Sequence, residues 1–307
     1  MNRVATVLFC AVSATACVAD IDVDTNTQDL DQVGDHGGGE PPDAKVHLAR
    51  DHANAGGGAG TSPNLIAHGG PVMTAGAYVE PIFWGTSWGS PGDKISGIQS
   101  FYGGFGNSTY NATNSEYTDP SGGHVGMAVT LGPTHVDLSA AARSGARTSP
   151  ILSEVCKLIT NPRSDGYYPV YIDNPRGNAG YCAWHSAGTC GGVTVQFAFF
   201  FKLDGDAGCD PGAPYNGHSQ GLAAIANVSG HELSETVTDP HLNAWYDASG
   251  AENSDKCAWA FGSSAITFSN GSQWKIQGNW SNAAYNGGTG YANRSGESGC
   301  LDGGNYR

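Results

Sequence analysis

The chain has 307 residues, 46 of them glycine, with 14% charged residues and a formal net charge of −14. So much glycine argues against long helical bundles and for a loop-rich mixed or β-rich fold. The acidic balance argues against nucleic acid as a partner, and the length suits one large domain or two small ones.

Arg3 followed by the apolar run of residues 4–16 reads as an export signal, too short to span a bilayer. Ala14-Thr15-Ala16 fits a small-residue cleavage site, giving a signal peptide of residues 1–16. The same residues resemble a weak lipobox with Cys17 as the lipidated residue, so the mature protein is expected either free outside the cell or lipid-anchored at its surface. Residues 17–62 are acidic and then Gly-rich (Gly37-Gly38-Gly39, Gly56-Gly57-Gly58), a composition that cannot bury enough apolar surface to order itself. They are expected to be a disordered tether before a single extracellular domain of residues 63–307.

Within that domain, residues 78–84 read as a strand and residues 94–102 carry apolar side chains at helical spacing. Residues 125–131 read as a strand, and residues 151–159 as a helix closed by Asn161-Pro162. Residues 168–172 and 193–201 are further strands, the latter apolar enough to be central. Ser219 or Asn216 can cap a long helix that runs to Val237 or Thr238, with Leu222, Ile225, Ala226, Leu233 and Val237 on one apolar stripe. Asp239-Pro240 ends it. Residues 265–268 and 274–277 form a hairpin about Asn270-Gly271. The order predicts an α+β fold with a mixed sheet, zincin-like, with a long active-site helix and disulfide staples.

The end of that helix carries the chemistry. His231-Glu232-Leu233-Ser234-Glu235 is H-E-x-x-E, one letter from the zincin H-E-x-x-H. His231 and Glu235 stand one turn apart on the same helix face and supply two metal ligands. Glu232 is the candidate catalytic base for a metal-bound water. His241, ten residues after His231, is the preferred third ligand, at the spacing of the last ligand of the longer zincin motif. Asp239 and Asp247 are alternatives, with Glu252 also competing as an oxygen donor. Zinc is the expected ion. The competing account is a His-Glu pair that arises by chance on an acidic helix end.

Other candidates are weaker. His185, near two cysteines, is read first as a structural histidine in a stapled loop and second as a substrate contact. The seven tryptophans could form a sugar platform, but most are expected in the core. Beyond the signal region, Cys156, Cys182, Cys190, Cys209, Cys257 and Cys300 are an even set suited to disulfides in an oxidising compartment. The preferred pairing is Cys182–Cys190, Cys257–Cys300 and Cys156–Cys209, one of 15 arrangements that six cysteines allow.

Gly70-Pro71-Val72-Met73 leads into Val79-Glu80-Pro81-Ile82-Phe83-Trp84-Gly85, and Gly180-Tyr181-Cys182-Ala183-Trp184 comes later. Thr236-Val237-Thr238-Asp239-Pro240 and Asn243-Ala244-Trp245-Tyr246-Asp247 follow. Together these phrases resemble the phosphate-induced protein 1 family, also called EXORDIUM-like, and its bacterial branch more than its plant branch, over roughly residues 65–302. The resemblance implies a secreted protein, in plants one associated with the cell wall and growth and without an established catalytic mechanism. Two functions are therefore expected from different classes. One is a zinc-dependent hydrolase acting on peptides or proteins. The other is a non-catalytic protein that binds cell-surface or wall polysaccharide. In both, the chain is expected to be a monomer, with no nucleic acid and no membrane contact beyond a lipid anchor.

Overall fold

The computed structural model of the protein describes residues 43–53, 63–142 and 147–304. The expected signal peptide, Cys17 and residues 17–42 and 54–62 of the expected tether lie outside the described residues. Eight strands make one mixed sheet: β1 (Lys45–Leu48), β2 (Ala77–Val79), β3 (Ile82–Trp84), β4 (Val129–Leu131), β5 (His135–Asp137), β6 (Gly166–Pro175), β7 (Tyr181–Cys190) and β8 (Val193–Lys202). β1 pairs antiparallel with β7, and β7 antiparallel with β8. β8 lies parallel to β6, which carries β2 and β3 in succession, both parallel. β4 and β5 extend the sheet beyond β2 and β3. The fold is thus α+β with a mixed sheet, as the order of elements predicted.

Residues 78–84 form two short strands rather than one. Pro81 has no N–H to give to the ladder, so the chain breaks step there while Glu80 N still donates to Tyr167 O. Residues 125–131 are extended only over β4. The expected tether reaches too far: β1 sits inside it, and His47 and Ala49 are fully buried. One strand of the sheet therefore comes from sequence whose composition reads as linker. β7 replaces the expected stapled loop. It is buried on both faces over its first six residues, so it lacks the apolar/polar alternation that marks a half-exposed strand.

Three helices pack on this sheet: α1 (Lys94–Phe105), α2 (Thr148–Leu158) and α3 (Gln220–Thr238). α3 lies against β7 and β8 and also meets α1 and the hairpin strand Gln273–Trp274. Ser219 caps it: its hydroxyl accepts from Leu222 N at 3.1 Å and donates to Asp93 at 2.7 Å. Ser219→Ala is expected to cost about 1 kcal/mol of stability. Urea unfolding checks this, and an unchanged midpoint would show that Asp93 alone holds the helix start. Every residue of α3 from Gly221 to Thr238 is buried, on all faces and not only along the expected apolar stripe.

Three disulfides staple the fold: Cys156–Cys190, Cys182–Cys209 and Cys257–Cys300. The last agrees with expectation and the other two exchange partners. Cys182 and Cys190 stand at opposite parts of one extended strand, about 27 Å apart at the usual rise per residue, and cannot bond each other. Cys190 instead holds α2 to the end of β7, and Cys182 holds the loop after β8. Such bonds are consistent with an oxidising, extracellular location. Among the described residues, no helix is long and apolar enough to cross a membrane.

Candidate metal centre

Polar side chains on a helix buried all round need partners. The hydroxyls of α3 find theirs both inside the helix and beyond it: Ser229 donates to Ile225 O at 2.6 Å and Thr236 to Glu232 O at 2.7 Å, while Ser234 accepts from Asn114 and Asn279. His231, Glu232 and Glu235 carry ionisable groups instead. All three are fully buried, and they face other ionisable groups brought in by β1, β7 and the turn at 252–255.

His231 Nε2 lies 3.0 Å from Glu235 Oε1 and 3.4 Å from Asp255 Oδ1. The same Glu235 oxygen accepts from the backbone N–H of Asp255 at 3.0 Å, which fixes the two carboxylates side by side. On the other oxygen, Glu235 Oε2 lies 3.5 Å from His185 Nε2, and His185 in turn meets Glu252 Oε2 at 3.1 Å. Glu235 therefore faces one histidine with each of its oxygens. His185 reaches it because alternate residues of β7 point to opposite faces of the sheet; its neighbour Trp184 stacks with Phe199 of β8. Asp255 is placed by a single 3₁₀ turn, Asp255–Cys257, which the Cys257–Cys300 disulfide anchors to the strand Ser298–Leu301.

Spacings near 3.3 Å are the edges of a tetrahedron of ligands about 2.0–2.1 Å from a central zinc. The contact between His231 Nε2 and Glu235 Oε1 is short, yet neither a hydrogen-bond partner for Nε2 nor one for Glu235 Oε2 exists among the described residues. Atoms that are close but poorly aligned with each other suit convergence on a third point. Both oxygens of Glu232 and Oε1 of Glu252 are also buried without a hydrogen-bond partner among the described residues. Three groups of residues could hold a cation: His231, Glu235 and Asp255; His185, Glu235 and Glu252; and His47, His231 and Glu232.

The third group is the poorest. The His47 and His231 rings are stacked, 3.7 Å between centroids and 5° from parallel. Their in-plane lone pairs run side by side and do not meet at one ion. His47 instead covers a face of His231, with Trp259 on its other contact at 4.8 Å. On the far side of His231, the Gln277 amide nitrogen lies 2.9 Å from Nδ1 and donates to Ser254 O at 3.0 Å. That contact favours a proton on Nε2. Holding an ion at Nε2 moves the proton to Nδ1 and requires the Gln277 amide to turn and present its oxygen.

The electrostatics of the cluster are those of groups competing for protons. Burial pushes the Glu232 carboxyl well up, with Glu235 adding to it against the pull of His231. Burial likewise raises Glu252 and Asp255. Burial also opposes ionisation of Glu235, but His231 and His185 outweigh it and hold its carboxyl below the usual carboxylate range. Burial disfavours the charged imidazoles, yet the carboxylates around His185 and His231 hold both well above the usual histidine value. His47 is held well below it by burial and by His231.

Of the residues expected from sequence, the structure brings His231, Glu232 and Glu235 together. His241 is exposed and lines a surface depression with Pro71, Met73 and Gln196. It stands apart from all three groups because Asp239 accepts from Asn243 N and Ala244 N and curls the chain with residue 241 on the outside of the bend. Asp239 is buried but belongs to none of the groups. Asp247 is committed to Lys256 at 2.8 Å and to the turn at Ser249. Asp255 and His47 carry no motif of their own in the sequence, and His185 lies on β7 and not in the expected loop. The only local signal was Glu252-x-x-Asp255, two acids one turn apart after the helix. Trp88, Trp184, Trp259, Trp274 and Trp280 are buried and so not available to a sugar platform, while Trp84 and Trp245 are partly exposed.

A cleft of about 320 Å³ adjoins the cluster, lined by Lys45, Val46 and Leu48 of β1, by Asp247 and Lys256, and by Arg294. Asp255 belongs to both the cleft and the cluster, and its side chain keeps 24% exposure where His231 and Glu235 have none. Buried His and Glu groups that could hold a metal ion are therefore present, with one carboxylate reaching a solvent-filled groove. Comparison of the chain with family models, with curated proteins and with solved structures found no match.

Proposed function

We propose that the protein is a zinc-dependent hydrolase that acts outside the cell, cleaving peptide bonds, with a zincin-like arrangement of an H-E-x-x-E helix against a mixed sheet. The observation that carries this reading is the meeting of His231 Nε2, Glu235 Oε1 and Asp255 Oδ1 around one point, with the carboxylate of Glu232 buried beside them and unpaired. Asp255 takes the place of the expected His241 as third ligand. The resemblance to the phosphate-induced protein 1 family and the disulfides support the extracellular placement.

A zinc ion held by His231, Glu235 and Asp255 would supply Lewis-acid polarisation and would lower the pKa of a water. The residues supply the rest. Glu232 has no competing hydrogen bond, so its carboxylate is free to take a proton from the attacking water and pass it to the leaving amine. The groove between β1 and Asp247 gives an extended substrate a place beside Asp255.

Metal analysis of oxidised, refolded protein tests the reading. At least one equivalent of zinc per chain is expected, with loss of binding in His231→Ala. Protein that takes up no zinc, and whose melting temperature is the same with and without a chelator, would overturn it.

A further inference from the structure

We propose that the centre is binuclear, with a second divalent cation held by His185 and Glu252 and joined to the first through the carboxylate of Glu235. The proposal rests on the reading of the first site given above and adds a separate ion to it.

The geometry gives Glu235 two roles. Its Oε1 belongs to His231 and Asp255, and its Oε2 to His185 and Glu252. Each side then offers the same set: one imidazole nitrogen, one carboxylate of its own, and one oxygen of the shared carboxylate. A carboxylate that binds one ion with each oxygen holds them at about the 3.5–4 Å separation of two-metal hydrolytic sites. His185 Nε2 is 3.1 Å from Glu252 Oε2 and 3.5 Å from Glu235 Oε2, spacings that fit ligands of a common ion. Glu252 Oε1 and Glu235 Oε2 have no hydrogen-bond partner among the described residues, although both side chains are fully buried.

Charge points the same way. Glu232, Glu235, Glu252 and Asp255 bring four carboxylates into this space. When all four are ionised, two divalent ions on neutral histidines match them charge for charge, so binding the pair displaces the protons that burial otherwise favours on Glu232, Glu252 and Asp255.

The test uses the full oxidised chain with zinc alone and then with manganese alone. Wild-type protein is expected to bind about two zinc ions, and Glu252→Gln about one. Manganese-loaded protein is expected to give the electron paramagnetic resonance spectrum of an exchange-coupled pair, with halved hyperfine spacing. This measurement needs no variant, so a Glu252→Gln protein that fails to fold leaves the proposal testable. One ion per chain with the spectrum of isolated manganese would overturn the binuclear proposal and leave the hydrolase reading standing. No bound ion at all would remove both.

Discussion

Glu232→Gln is expected to lower the rate of peptide hydrolysis by on the order of 10²–10⁴-fold, the usual worth of a positioned general base. The substitution keeps shape and removes only the ability to accept a proton. Neither oxygen of Glu232 holds up the surrounding structure through a hydrogen bond among the described residues, so the fold should survive the change. Zinc content should also be unchanged, because His231, Glu235 and Asp255 remain. Assay against a pool of quenched fluorescent peptides should show the loss in kcat with little change in KM. A variant that binds zinc and hydrolyses peptides at the wild-type rate would remove Glu232 from the mechanism. A variant that loses zinc would instead make it a ligand.

The second large effect concerns stability, and its sign depends on whether ions are present. Without ions, Glu232, Glu252 and Asp255 have folded-state pKa values raised above the unfolded ones, chiefly by burial. Those of His185 and His231 are also raised, against burial, by the carboxylates facing them. A raised group stabilises the fold fully below its unfolded value, 4.5 for glutamate and 6.5 for histidine, and the contribution is lost as pH rises through the folded value. His47 works against this trend. Its lowered value costs stability below 6.5 and nothing above it. Glu235, lowered, contributes above 4.5 and loses its contribution as pH falls, so it acts mainly in the acid limb. These groups share their protons and titrate together, and above 6.5 His47 no longer opposes them, so protein in chelator should melt at progressively lower temperature as pH rises above 6.5. Zinc displaces those same protons, so the stabilisation it brings should grow with pH. It should reach about 2.7–4 kcal/mol at zinc concentrations 100 to 1,000 times Kd. Melting curves across pH with and without zinc check both slopes. Parallel curves would show that no ion binds at this cluster.

Legibility in the sequence followed the range of each interaction. β8 and α3 were readable because ten consecutive residues or a cap and a periodic stripe specify each locally. His231, Glu232 and Glu235 were readable for the same reason: one turn of one helix brings them together. The remaining members come from β1, from β7 and from the turn at 252–255, and only the packing of α3 against the sheet makes them neighbours. His241 was favoured on spacing along the chain, but the bend stabilised by Asp239 turned it outward. β1 was hidden for a different reason. Its side chains sit in a stretch flanked by acidic and Gly-rich sequence, and its burial depends on β7 pairing with it across 130 and more residues.

The spread of the centre along the chain bears on how the protein is made. His47 belongs to the first described strand, and Gln277 contacts His231 from beyond the last ligand. A ribosome or a translocation channel releases these residues far apart in time, and the turn bearing Asp255 is tied by Cys257–Cys300 to the strand Ser298–Leu301. No early fragment of the chain holds a complete ligand set. On the proposed reading, a metal ion would be captured late, by finished and oxidised protein.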